Sequence, residues 1–91
     1  MISKDTLDKF FADLQKDINA RDKQSKERAE ASLIAAFEGY NRRVAERIVQ
    51  QRHLLAECQR TGDDFGVRQH ETLIEIYKSL FQIDNNQQVS E

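Results

Sequence analysis

Histidine and cysteine side chains could build a metal site or a nucleophilic centre, and the chain has only His53, Cys58 and His70. His53 and Cys58 are five residues apart, which on a helix separates them by about 140° in projection. Metal ligands must converge on one ion, and a Cys-His nucleophile needs hydrogen-bond contact between its members. We therefore expect no metal site, and we interpret Cys58 as a core thiol, His70 as a buried or edge histidine and His53 as a surface residue.

Phosphate binding and acid-base catalysis also lack their usual signals. Gly62 and Gly66 form the only local pair of glycines, and no Lys-Ser or Lys-Thr follows them as in a phosphate-binding loop. Carboxylates are plentiful, but a charged helical surface is usually just solvated. Nothing in the pattern pairs two of them for proton transfer. The sequence thus predicts no cofactor and no enzymatic activity.

The arginines are distributed unevenly along the chain. Residues 41–60 hold five arginines against two glutamates, a balance of +3, whereas residues 61–91 hold two basic and six acidic side chains, a balance of −4. One interpretation is charge complementarity between the flanks of two paired helices, with modest worth for each exposed pair. The other is a partner-binding face on the side away from the apolar residues. For this face we select Arg42, Val49, His53 and Arg60, together with Arg52.

Direct binding of DNA or RNA by these arginines is the alternative function. Dedicated nucleic-acid binders usually have a basic domain, whereas this chain has a formal charge of −2 and a pI of about 5.7. No aromatic side chain interleaves with the outer arginines to stack on single-stranded bases. A protein partner is therefore the favoured interpretation.

The elements that must position these residues are helices, since the chain has no proline and three glycines. Apolar residues at helical spacing predict a first helix over about 3–20, capped by Ser3, and a long central helix over about 25–60. The link near residues 20–25 is interpreted as a turn, with one unbroken helix as the alternative. Gly39 falls inside the predicted central helix.

A hairpin follows the central helix. Gly62 suits the left-handed residue after a helix, and Asp63 or Asp64 suits the cap of a third helix over about 64–83. The apolar residues of this third helix cover roughly half of its circumference, which is too wide for one neighbour. It must pack on both other helices or meet a second subunit. We expect a homodimer through the long central helix or through the broad face of the third. The predicted core or dimer seam comprises Phe37, Tyr40, Val44, Ile48, Leu73, Tyr77 and Phe81.

The composition of the 91 residues predicts one helical domain over 1–83, followed by a polar tail over 84–91. The chain shows no signal peptide and no apolar run of the roughly 20 residues that a membrane span needs. With a single cysteine, this favours the cytoplasm. We expect a small all-α protein that binds a protein partner and modulates it, as an adaptor, chaperone or inhibitor, of the kind common in phage, plasmid and secretion systems.

Overall fold

Four α-helices make up the described part of the chain, and the predicted all-α class is confirmed. The computed structural model describes residues 2–18 and 20–83. The predicted polar tail, 84–91, lies outside them. In chain order the helices are α1 (Lys4–Ile18), α2 (Lys23–Ala35), α3 (Gly39–Thr61) and α4 (Asp64–Ser79).

The prediction of three helices is wrong, because the long central helix predicted for 25–60 is interrupted. α2 ends at Ala35 and α3 begins at Gly39. Gly39 has a φ of +54°, a left-handed conformation that costs a residue with a Cβ about 1–2 kcal/mol. Phe37 lies in the segment that connects α2 to α3, but its position in the sequence still fits the apolar spacing of one continuous helix. The apolar pattern therefore does not reveal the break.

Side-chain and backbone contacts stabilise the break between α2 and α3. The Nε of Arg42 donates to the carbonyl oxygen of Phe37 at 3.0 Å. The carbonyl oxygen of Glu38 accepts from the backbone N–H of Asn41 at 3.1 Å and begins the hydrogen bonding of α3. These bonds satisfy carbonyl groups that an interrupted helix would otherwise leave unpaired. The break also leaves the Phe37 side chain only 1% exposed.

The starts of α1 and α2 follow the capping chemistry of the sequence. The Oγ of Ser3 accepts from the backbone N–H of Thr6 at 3.2 Å, which confirms Ser3 as the cap of α1. A carboxylate oxygen of Asp22 accepts from the N–H of Gln24 at 2.9 Å at the start of α2. The predicted turn between the first two helices is confirmed, and the alternative of one unbroken helix is excluded.

The chain divides into two compact units, Met1–Arg42 with Gln82–Glu91, and Arg43–Phe81. The prediction of a single domain over 1–83 stays a prediction. In the first unit, the ring of Phe10 on α1 meets Phe37 edge to face, with ring centroids 4.9 Å apart. Such a pair adds about 0.5–1.5 kcal/mol to the burial of the two rings.

A buried amide joins distant parts of the chain within this first unit. Asn41 is 3% exposed. Its Nδ2 donates to the carbonyl oxygen of Gln82 at 3.0 Å, and its Oδ1 accepts from the backbone N–H of Gln82 at 2.8 Å. Ile2 forms an isolated parallel β-bridge with Ile83 beside this contact. Gln82 is therefore attached to the rest of the first unit by hydrogen bonds with Asn41 and with the backbone of Ile2.

The left-handed backbone at Gly39 predicts the effect of two substitutions. A Cβ added there has no atom within 4 Å, so the strain of Gly39→Ala is confined to the backbone. We expect Gly39→Ala to lower the free energy of unfolding by about 1 kcal/mol. Gly39→Asn should cost less, because asparagine tolerates this conformation. Urea unfolding followed by circular dichroism measures both; equal stabilities of Gly39→Ala and the parent protein would contradict the assignment.

Candidate functional site

A tight turn reverses the chain between α3 and α4. Gly62 has a φ of +77°, and the Oδ1 of Asp63 accepts from the backbone N–H of Gly66 at 3.0 Å. The predicted left-handed residue and N-cap are thus both confirmed. The turn makes α4 and the part of α3 from Arg43 onward a helical hairpin within the second compact unit.

The two helices of the hairpin lie close together beyond the turn. A Cβ added at Gly66 would be 2.5 Å from the Sγ of Cys58, so only glycine permits this approach without a shift. Further along, the Nδ1 of His70 and the Oε1 of Gln51 are 2.6 Å apart and hydrogen-bonded. The close approach of Gly66 to Cys58 and the hydrogen bond between His70 and Gln51 therefore define which side of α4 faces α3.

The residues of α4 that are removed from solvent recur every three or four positions. Gly66 and Ile74 are buried, and His70 and Tyr77 are half-buried. These positions fall within about 80° of each other on a helix with 100° per residue. A single helix such as α3 covers a stripe of about this width.

Apolar side chains also occupy a second side of α4, and this side is exposed. Phe65 is 78% exposed, Ile76 49% and Leu80, just after the helix, 42%. Leu73 is half-buried between the two sides. We define the α4 outer face as Phe65, Gln69, Thr72, Leu73, Ile76 and Leu80.

The α4 outer face is a candidate interaction surface. Apart from the adjacent Thr72 and Leu73, its residues recur at intervals of three or four, the spacing with which one helix packs against another. Phe65, Gln69, Thr72, Leu73 and Arg68 line an open groove of about 460 Å³. Isolated exposed apolar residues are ordinary, whereas a contiguous exposed apolar patch marks a contact with another molecule.

The five residues selected from the sequence for partner binding do not form one exposed stripe. His53, Arg42 and Arg60 are exposed, whereas Val49 is buried at 8% exposure and Arg52 is half-buried. Burial lowers the pKa of the Arg52 guanidinium from its usual value. Their role in partner binding stays a prediction.

Two of these arginines have identified contacts within the chain. Arg42 donates to the Phe37 carbonyl oxygen. Arg60 forms a bidentate ion pair with Glu57, which lies one turn away on α3. The carboxylate of Glu57 has a lowered pKa because it accepts hydrogen bonds from Arg60. Both guanidinium groups thus have partners in the folded chain.

The residues selected as core or dimer seam differ in their exposure. Phe37, Val44, Ile48 and Phe81 are buried, Leu73 and Tyr77 are half-buried, and Tyr40 is 43% exposed. Phe65 was not among them, although it is the most exposed of the large apolar side chains described. The half-circumference of apolar residues predicted for the third helix was the signal for this face, since Ile76 and Leu80 lie within the predicted range 64–83.

The groups that could do chemistry do not converge. Cys58 is half-buried and hydrogen-bonds Asp63, with 3.8 Å between Sγ and Oδ2. His53 is exposed, and His70 is bonded to Gln51. Within residues 2–18 and 20–83, no three side chains of histidine, cysteine, aspartate or glutamate form a group that could hold a metal ion. None of the described helices combines the length and the apolar character that a membrane span requires.

Comparison with protein-family models, with curated proteins and with solved structures found no match to this chain. The α4 outer face is therefore interpreted from its own geometry.

The environment of Cys58 predicts slow reaction with alkylating reagents. Burial raises the pKa of the thiol, and the neighbouring carboxylate of Asp63 raises it further. Since the thiolate is the reactive form, we expect iodoacetamide to modify Cys58 more slowly at pH 8 than in the urea-unfolded chain. Asp63→Asn keeps a capping side chain and should shift the rate profile to lower pH. An unchanged profile would contradict the role of Asp63.

Proposed function

We propose that this chain is a non-catalytic helical protein that binds another protein through the α4 outer face. The observation that carries the proposal is the exposure of Phe65, 78%, at one end of the α4 outer face, which also exposes Ile76 and Leu80. Aromatic side chains are enriched among the residues that contribute most to protein–protein binding. Full burial of one such side chain contributes about 1.5–3 kcal/mol.

The shape of the α4 outer face favours a helix as the bound element. The face is a straight row on one helix, and the groove along it is open rather than enclosed. Helical partners dock on such rows through side chains spaced by three or four residues. We propose that the contact serves an adaptor, a chaperone or an inhibitor acting in the cytoplasm, since each works by holding a partner without transforming it.

The nucleic-acid alternative draws less support from the described residues. It relied on the arginines of the central helix, of which Arg42 and Arg60 contact groups of the chain itself and Arg52 is half-buried. Phosphate binding needs guanidinium groups that reach outward. Apolar rows such as the α4 outer face bind protein surfaces instead.

Loss of Phe65 should remove partner binding without unfolding the chain. We expect Phe65→Glu to retain the helical circular dichroism of the parent protein, because the side chain is exposed. Both proteins, immobilised at equal amounts, are incubated with host lysate supplemented with untagged parent chain, and retained proteins are quantified by mass spectrometry. At least one protein should fall about tenfold or more with Phe65→Glu.

The matched control is Glu71→Lys, an exposed position on α4 away from the outer face. It should retain the same proteins as the parent chain. The proposal is wrong if every retained protein, the untagged chain included, is held equally by the parent and by Phe65→Glu.

A further inference from the structure

The occupant of the α4 outer face can be inferred from the order of its residues, given the proposed function above. We propose that it is the α4 outer face of a second copy of this chain, packed antiparallel about a two-fold axis. A two-fold interface brings one surface patch against itself, so each residue must suit the residue that symmetry places opposite. The α4 outer face matches itself best in one antiparallel register.

An axis between Thr72 and Leu73 pairs the row with itself in reverse order. Phe65 then lies opposite Leu80 of the second copy, and Gln69 lies opposite Ile76. The aromatic ring at one end meets an aliphatic side chain at the other end, twice in the pair. Phe65 and Leu80, two of the three large apolar side chains exposed on α4 and its C-cap, gain apolar neighbours in this arrangement.

The charges beside the row fit the same register. Arg68 and Glu75 lie on the same flank of α4 on a helix with about 100° per residue, and both are exposed. In the pair, Arg68 is offset from Glu75 of the second copy by two residues, about 3 Å along the helix axis, which these long side chains can span, and the reciprocal pair forms at the same time. Glu75 also accepts from Lys78 within α4 at 3.1 Å, and its side chain remains 71% exposed.

A parallel pair of α4 helices does not have this complementarity. Its two-fold axis would run along the helices and would put the flank that carries Arg68 and Glu75 on opposite sides of the pair, so neither residue could reach the other in the second copy. Charge and the order of apolar residues thus select the antiparallel arrangement. The helix of an unrelated protein would need to match both features independently.

The contact is limited to one helix face from each copy. Interfaces of this size belong to the small end of specific complexes. We therefore expect a dissociation constant in the micromolar range, which lets the pair exchange with monomers at cellular concentrations.

Charge reversal tests the register directly. Sedimentation equilibrium over a series of protein concentrations compares the parent chain, Arg68→Glu, Glu75→Arg and an equimolar mixture of the two variants. Each variant alone faces two like-charge pairs and should dimerise about tenfold more weakly. In the mixture, the heterodimer restores two opposite-charge pairs and should recover the affinity of the parent. Glu71→Lys, a charge reversal away from the face, is the control and should leave association unchanged.

Two results would overturn the inference. One is a parent chain that stays monomeric up to the millimolar range, and the other is a mixture that associates no more tightly than its separate variants. The parent chain could be monomeric while the Phe65→Glu variant retains less of a host protein than the parent does in the capture experiment. In that case this inference is wrong and the proposed function stands. If neither the chain nor any host protein depends on Phe65, both are wrong.

Discussion

α4 carries more apolar surface than one neighbouring helix can cover. α3 contacts it through the side that contains Gly66 and His70, and Phe65, Ile76 and Leu80 remain in solvent on another side. Exposing several large apolar side chains has a free-energy cost, since burial contributes about 25 cal/mol for each Å² removed from water. Contact with another protein recovers this free energy, which gives the exposed row its proposed function.

The geometry of the hairpin determines which side of α4 is exposed. The cap at Asp63 begins the helix, and the absence of a side chain at Gly66 lets it approach Cys58. The hydrogen bond between Gln51 and His70 then orients the helix about its axis. A rotation of α4 by one residue would bury a different set of side chains, so these few local contacts set the composition of the α4 outer face.

Much of this fold could be predicted from the sequence because its local signals are strong. Ser3, Gly62 and Asp63 perform the capping and turn roles that their side chains favour. The break at Gly39 was missed because a glycine is tolerated inside a helix and the apolar spacing continues through Phe37. The left-handed backbone at Gly39 and the hydrogen bond from Arg42 to the Phe37 carbonyl oxygen mark the break between α2 and α3.

The candidate site was predictable in part. The excess apolar width of the third helix was visible in the sequence, but periodicity cannot show which part α3 covers. The burial of Val49 was missed for a related reason. The prediction assumed that the central helix has one contact side and put Val49 on the side away from the apolar residues, whereas Val49 and its neighbour Ala45, one turn earlier, are both buried. Tertiary packing, which a single sequence does not specify, decides both cases.

An intermolecular distance measured by pulsed electron paramagnetic resonance tests the central claim most directly. Spin labels are attached singly at Glu71→Cys or Asp64→Cys in a Cys58→Ser background. The antiparallel pair places residue 71 near the two-fold axis and residue 64 far from it, because each residue adds about 1.5 Å along a helix. The account predicts a defined distance between copies that is clearly shorter at residue 71 than at residue 64. Equal distances, or no defined distance at either position, would contradict it.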